Sequence, residues 1–151
     1  MRKIKFRIWD KEIKDMIVAS GKDLMIDTRE KMYETNDGIV NEITNPDDFI
    51  IMQFTGMLDC KGKEICEGDI VKFGCPGLEG FLMFGYVQWW RNVCMFGIRR
   101  YKWVNKQGQM VTGRLIGEGG FPLHHVLKNT IEIIGNRYEN PQLLEMGGDL
   151  K

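Results

Sequence analysis

Six side chains of this 151-residue chain are able to act as soft nucleophiles or metal ligands: Cys60, Cys66, Cys75, Cys94, His124 and His125. A zinc site needs thiolates or imidazoles that converge, and its usual sequence mark is a Cys-x-x-Cys pair, which is absent here. His124 and His125 are adjacent, and on a strand adjacent side chains point to opposite faces. A metal site would therefore have to borrow distant cysteines, so packed thiols and surface or partly buried histidines are the expectation, with no metal and no cofactor. A cysteine nucleophile would need a His base, and no local signature supplies one. Asp47-Asp48 reads as turn-forming side chains in a solvated loop rather than a general acid–base pair. Gly117-Glu118-Gly119-Gly120 lacks the Lys-Ser/Thr ending of a phosphate loop. No catalytic residue is nominated, and the chain is expected not to be an enzyme.

The stronger candidate is a binding surface made of Trp89, Trp90, Arg91, Arg99, Arg100, Tyr101, Lys102 and Trp103. Cations beside aromatic rings bind phosphates and stack on bases, and small barrels use this combination on single strands. A strand pair must also bury one face, so at least half of these rings are expected in the core. Arg99, on a face with Met95 and Trp103, has a structural use too, as a guanidinium stacked on a ring. Charge adds to the case. The chain is neutral overall, yet residues 10–69 hold 15 acids against 7 bases, and residues 70–151 hold 10 bases against 6 acids. Between Gly80 and Gly117 there is no acid at all. Such asymmetry suits an anionic partner, or pairs one face of a protomer with the opposite face of another.

These residues need strands to position them, and the pattern predicts many. Ile4, Phe6 and Ile8 alternate with Lys5, Arg7 and Trp9, a period-two strand with one buried face. Asp10-Lys11-Glu12 breaks it and Met16-Ile17-Val18 returns as a hairpin. Leu24-Met25-Ile26 and Lys31-Met32-Tyr33 are weak strands, with a helical turn as the alternative over Asp27–Lys31. Asn36-Asp37-Gly38 is a hairpin turn. Asn45-Pro46-Asp47-Asp48 leads into a central strand from Phe49 to Phe54. Tight turns at Asp59-Cys60-Lys61-Gly62 and Glu67-Gly68-Asp69 flank the next strands, and Ile70-Val71-Lys72-Phe73 suits a pleated, half-buried strand.

Downstream, Gly74-Cys75-Pro76-Gly77 is a loop. Strands run from Phe81 to Trp90, where Gly85 hints at a bulge or close backbone approach, and from Val93 to Trp103. A turn at Asn105–Gly108, a strand from Val111 to Ile116 and a loop at Gly117–Gly120 follow. Pro122–Lys128 reads as a short helix or an irregular segment. Thr130–Gly135 is a closing strand, and Asn140-Pro141 places a cap and a first-turn proline before a short C-terminal helix.

Gln53-Phe54-Thr55-Gly56, Asp59-Cys60-Lys61-Gly62-Lys63-Glu64-Ile65 and Glu67-Gly68-Asp69-Ile70-Val71 resemble the central signature of the YopX family, small proteins of phages and prophages in Gram-positive bacteria. The opening Ile4-Lys5-Phe6-Arg7-Ile8-Trp9-Asp10 and the close Ile134-Gly135-Asn136-Arg137-Tyr138-Glu139-Asn140-Pro141 fit the same family in order. The resemblance implies a mostly β protein with an SH3-like barrel and no established activity. The chain departs from the family pattern at Cys60 and Cys66, and by a long basic and aromatic insert after Phe73.

The expectation is thus a mainly β protein: an N-terminal β-hairpin extension at 1–49 and an SH3-like barrel with a short C-terminal helix at 50–151. Its expected role is a phage or prophage accessory protein that binds proteins or self-associates, the alternative being a single-stranded nucleic-acid-binding small barrel. The charged opening Met-Arg-Lys-Ile-Lys-Phe-Arg does not suit a secretory signal, and no apolar run is long enough to span a bilayer. A cytoplasmic protein of the bacterial host with reduced thiols is expected, without membrane contact.

Overall fold

A computed structural model describes residues 4–17, 23–26, 31–36, 39–43, 45–74, 80–105, 120–126 and 129–145. The described residues form twelve β-strands, two 3-10 helices and one short α-helix, so the protein is mainly β. Contacts divide the chain into two units: Phe6–Met52, and Met1–Lys5 together with Gln53–Lys151.

In the first unit, β1 (Phe6–Asp10) and β2 (Asp15–Ile17) form an antiparallel hairpin with Ile8 opposite Ile17 and Trp9 opposite Met16. Asp10 makes the turn, its Oδ1 accepting the N–H of Glu12 at 2.8 Å and of Ile13 at 3.2 Å. The alternation expected of this segment does not hold. Ile4 and Phe6 are exposed (69% and 53%), whereas the consecutive Ile8 and Trp9 are buried. Period-two reading presumes one covered face along the whole strand; here both faces are covered at one end and neither at the other. A separate meander joins β3 (Asp23–Ile26), β4 (Met32–Asn36) and β5 (Ile39–Glu42). Asn36 pairs with Ile39 at the end of the β4–β5 ladder, and the Asp37-Gly38 expected as a turn between them lies outside the described residues. A 3-10 turn, Pro46–Asp48, then leads into β6 (Phe49–Leu58), the expected central strand.

The second half of β6 pairs antiparallel with β7 (Glu64–Cys66), with an irregularity between Phe54 and Leu58 where Gly56 takes φ +88°. Thr55 Oγ1 donates to the Ile65 carbonyl at 2.8 Å and accepts the Met57 N–H at 3.2 Å, which steadies the kink. A five-stranded antiparallel sheet follows in the order β11-β10-β9-β8-β12. Its strands are β8 (Asp69–Gly74), β9 (Leu82–Trp90), β10 (Met95–Val104), β11 (Phe121–Pro122) and β12 (Glu132–Asn136). Ile65, Val71, Phe73, Met83, Val87, Phe96, Ile98, Leu123, Val126 and Ile131 close the core. Burying each such side chain contributes about 1.5–3 kcal/mol before chain entropy is charged against it. The half-barrel built over this core fits the SH3-like expectation.

Gly85 marks a bulge. Arg99 pairs with Tyr86 and Lys102 with Phe84, so Arg100 and Tyr101 together stand opposite Gly85. The segment after Pro122 is a 3-10 turn, Leu123–His125. The expected C-terminal helix is Gln142–Glu145. Asn140 differs from its expected capping role, because its side-chain Oδ1 turns back to accept the Asn136 N–H at 3.2 Å. That contact holds the corner between β12 and the helix.

The expectations for Asp27–Glu30, Cys75–Gly77, Lys106–Gly108, Val111–Ile116 and Gly117–Gly119 lie outside the described residues. Among the described residues no helix is long and apolar enough to cross a membrane.

Candidate functional site

The acidic residues of the central stretch act on the backbone. Buried Asp59 accepts the N–H groups of Lys61 at 2.9 Å and Lys63 at 2.8 Å on Oδ1, and that of Ile133 at 3.2 Å on Oδ2. Burial is the largest single influence and pushes its carboxyl upward. The Lys63, Ile133 and Lys61 N–H groups and the Lys61 charge together outweigh it and hold the group below its ordinary value. Next to it the Cys60 N–H donates to the Ile131 carbonyl at 2.8 Å. Lys61 Nζ meets Glu132 at 2.6 Å and Lys72 Nζ meets it at 2.8 Å. The hydrogen bond from Lys61, then that from Lys72, lowers the Glu132 carboxyl to about 2. The turn after β6 is thereby fastened to β12.

A second node lies at the next turn. Asp69, buried, accepts the Cys66 N–H at 2.8 Å and the Asn136 Nδ2 at 3.3 Å, while Asn136 Oδ1 accepts the Tyr138 N–H at 3.0 Å. The Arg137 N–H donates to the Gly68 carbonyl at 2.8 Å, and its guanidinium lies 4.2 Å from the Tyr86 ring centroid. The central signature and the closing segment Ile134–Pro141 are therefore neighbours, and their polar groups close the sheet.

Glu67 is placed differently. β9 runs on to Trp90, whereas β8 begins only at Asp69, so the edge of β9 at Gln88–Trp90 has no β8 residue beside it. Glu67 fills that place: Oε1 accepts the Trp89 N–H and Oε2 the Gln53 N–H, both at 3.1 Å. A cleft of about 410 Å³ opens there, lined by Gln53, Glu67, Gln88, Trp89 and Arg91.

Of the cluster singled out from the sequence, Trp89 and Arg91 meet in this cleft. Trp89 is 39% exposed and packs edge-on against Phe96, with ring centroids 4.9 Å apart. Arg91 is exposed in the turn between β9 and β10. Trp90 is committed to packing: an added Cβ on Gly97 or Gly120 would stand 2.2 Å or 1.9 Å from its ring. Arg99 is exposed on β10. Arg100, Tyr101, Lys102 and Trp103 belong to the same strand, whose pairing register shifts between Arg99 and Lys102, and their side chains lie outside the described residues. Gln53 and Glu67 stood in the family signature and Glu67 at the start of a turn, but neither they nor Gln88 were assigned to a site from the sequence.

His124 and His125 sit on the 3-10 turn, in the segment expected as a short helix or an irregular stretch, and are exposed with ring centroids 4.3 Å apart. Cys60 and Cys94 are exposed, Cys66 is buried, and Cys75 lies outside the described residues. Among the described residues no group of three or more His, Cys, Asp or Glu side chains is placed to hold a metal.

A family model described as YopX protein matches residues 5–145. No curated protein matches the chain. Among solved structures, the protein yopX from Bacillus subtilis is 19% identical, with 95% of this chain and 98% of that one covered at a TM-score of 0.57. A protein from Enterococcus faecalis is 21% identical, with 95% and 99% covered at a TM-score of 0.54. At these identities the likeness is one of fold.

Proposed function

From a chain that belongs to the YopX protein family, we propose a non-catalytic module that works through protein contacts, by associating with a second copy or with another phage or host protein in the bacterial cytoplasm. One observation carries the reading: charge divides along the same line as the contacts. The unit Phe6–Met52 holds 11 acids against 6 bases, and the other holds 10 acids against 15 bases. Equal and opposite excesses on two units favour pairing between copies. Exposed apolar side chains add contact area, among them Ile39 (63%) and Val40 (53%) on β5, and Leu82 (42%) and Val93 (50%) on and after β9. Sedimentation over a range of concentrations tests this. Association that strengthens at low salt is expected; a strict monomer at high micromolar concentration and low salt overturns it.

A second reading, single-stranded nucleic-acid binding, is favoured by the exposure of Trp89 and Arg91 side by side where β9 enters its turn, with Arg99 exposed on the other face of the β9–β10 hairpin. It expects salt-dependent retention on mixed oligonucleotides, lost when Arg99, Arg100 and Lys102 become Ala together. Absence of retention at low salt removes it.

A further inference from the structure

The cleft beside β9 is lined by residues of different chemistry: the half-exposed Trp89, the exposed Arg91, Glu67 with its carboxylate fixed by two N–H groups, and the glutamines Gln53 and Gln88. Its volume of about 410 Å³ lies in the range of about 300–1,000 Å³ usual for small-ligand clefts. Trp89 is propped edge-on by Phe96, so its ring is held in place with part of its surface open. An open, fixed indole suits a planar ring laid against it.

Glu67 decides which ring. Its two oxygens each accept one backbone N–H, from Trp89 and from Gln53, and each keeps a further lone pair. A pinned carboxylate with two remaining lone pairs matches two adjacent donors. Among the nucleobases, guanine alone shows that pair on its Watson–Crick edge, as N1–H beside the N2 amino group. Adenine and cytosine each present a ring nitrogen acceptor there, and uracil sets carbonyls on both sides of its single N–H. Those edges meet the carboxylate with lone pair against lone pair. Gln53, which lines the same cleft, has an amide suited to donate to the guanine O6, and Arg91 at the exposed turn suits a phosphate. The same Arg91 disfavours a cationic ligand such as an arginine side chain.

We propose that this cleft binds a guanine base carrying a phosphate, as a free nucleotide or within a single strand. The inference goes beyond the protein-contact reading and is tested apart from it, at low micromolar protein, where binding is followed by calorimetry and tryptophan fluorescence. The probes are GMP, AMP, CMP and UMP, together with a thymine hexamer and the same hexamer bearing one guanine. GMP, the guanine hexamer, or both bind, at least about tenfold more tightly than their guanine-free counterparts. Binding by GMP points to the free nucleotide, and by the hexamer alone to a strand. Trp89→Leu weakens that binding at least about tenfold and removes the ligand-induced quenching. Arg91→Ala weakens GMP while leaving guanosine unchanged. Glu67 also ties two strands, so Glu67→Gln is judged only with its circular dichroism intact, and there it loses the preference for guanine. Equal affinity for all four nucleotides, no binding by GMP or the guanine hexamer at millimolar concentration, or full binding by Trp89→Leu overturns the proposal.

Discussion

Asp59, Glu67 and Asp69 show why acidic residues crowd turns that carry no catalytic signature. Turns and strand ends leave N–H groups without carbonyl partners. Asp59 accepts two from its own turn and one from β12, Glu67 one each from β6 and β9, and Asp69 one from β7 together with the Asn136 amide. Hydrogen bonds to a charged acceptor are worth more than neutral ones, about 1.5–3 kcal/mol each by mutational measure. Glu132 does a different job, gathering Lys61 from one turn and Lys72 from β8. Its carboxyl falls from 4.5 to about 2 through those two lysines. A carboxyl lowered on folding stabilises the fold above its unfolded value, and that contribution fades as pH falls toward the folded one. Urea midpoints of the native protein should therefore drop between about pH 5 and pH 2, with Asp59, also lowered, contributing in the same direction. Glu132→Gln should lower the midpoint modestly at neutral pH and flatten the acid drop. An unchanged acid limb in that variant would show that the lysines do not hold Glu132 as described. High salt should shrink the difference, since these groups face solvent. At this scale the sequence was legible for turns, through Gly62 and Gly68, and silent on what the Glu67 side chain holds, because Gln53 and Trp89 are brought to it only by the fold.

The elements depend on a few backbone conformations that ordinary residues resist. Gly62, in the turn between β6 and β7, has φ +82°, and an added Cβ would meet nothing within 4 Å. Any penalty at that position is therefore conformational rather than steric crowding by neighbours. Gly62→Ala should cost about 1–2 kcal/mol in urea unfolding, and Gly62→Asn less, because Asn tolerates the left-handed region. Gly74→Ala, with the same open space and no positive φ, should change stability by less than about 0.5 kcal/mol. If Gly62→Ala matches Gly74→Ala, the turn does not need its glycine. Strand positions were readable from runs of β-branched and aromatic residues, as for β8 and β9. The bulge in β10 was readable only as the hint at Gly85, because the pairing that makes Arg100 and Tyr101 share one partner is a property of two strands together. The burial of both Ile8 and Trp9 has the same origin, since alternation describes one covered face and β1 does not have one along its length.

At the scale of the molecule, the first few residues belong with the distant part of the chain. Met1–Lys5 group with Gln53–Lys151, and the reasons are visible: the Phe54 N–H donates to the Lys5 carbonyl at 2.9 Å, and Lys5 Nζ pairs with Glu64 and lies 6.0 Å from the Phe54 ring centroid. Composition and charge could announce a β-rich core, but no local pattern tells a reader that Lys5 and Phe54 are partners. The arrangement has a direct test. Because the Lys5 carbonyl is within hydrogen-bonding distance of Phe54, about four residues of Gly and Asn suffice to join Lys5 to Gln53 after 6–52 are removed. That shortened chain retains the cluster from Ile65 to Ile131 that forms the core. It should unfold cooperatively on heating, with a higher midpoint than a fragment of residues 53–151 alone, which lacks the Lys5 hydrogen bond and its pair with Glu64. A few kilocalories separate such a pair at most, which for a unit of this size moves the midpoint by several degrees. Equal midpoints would mean that the opening residues add nothing to the larger unit. Failure of both to unfold cooperatively would mean that residues 6–52 are needed for the core itself, and the division into two units would describe contact density without describing independent folding.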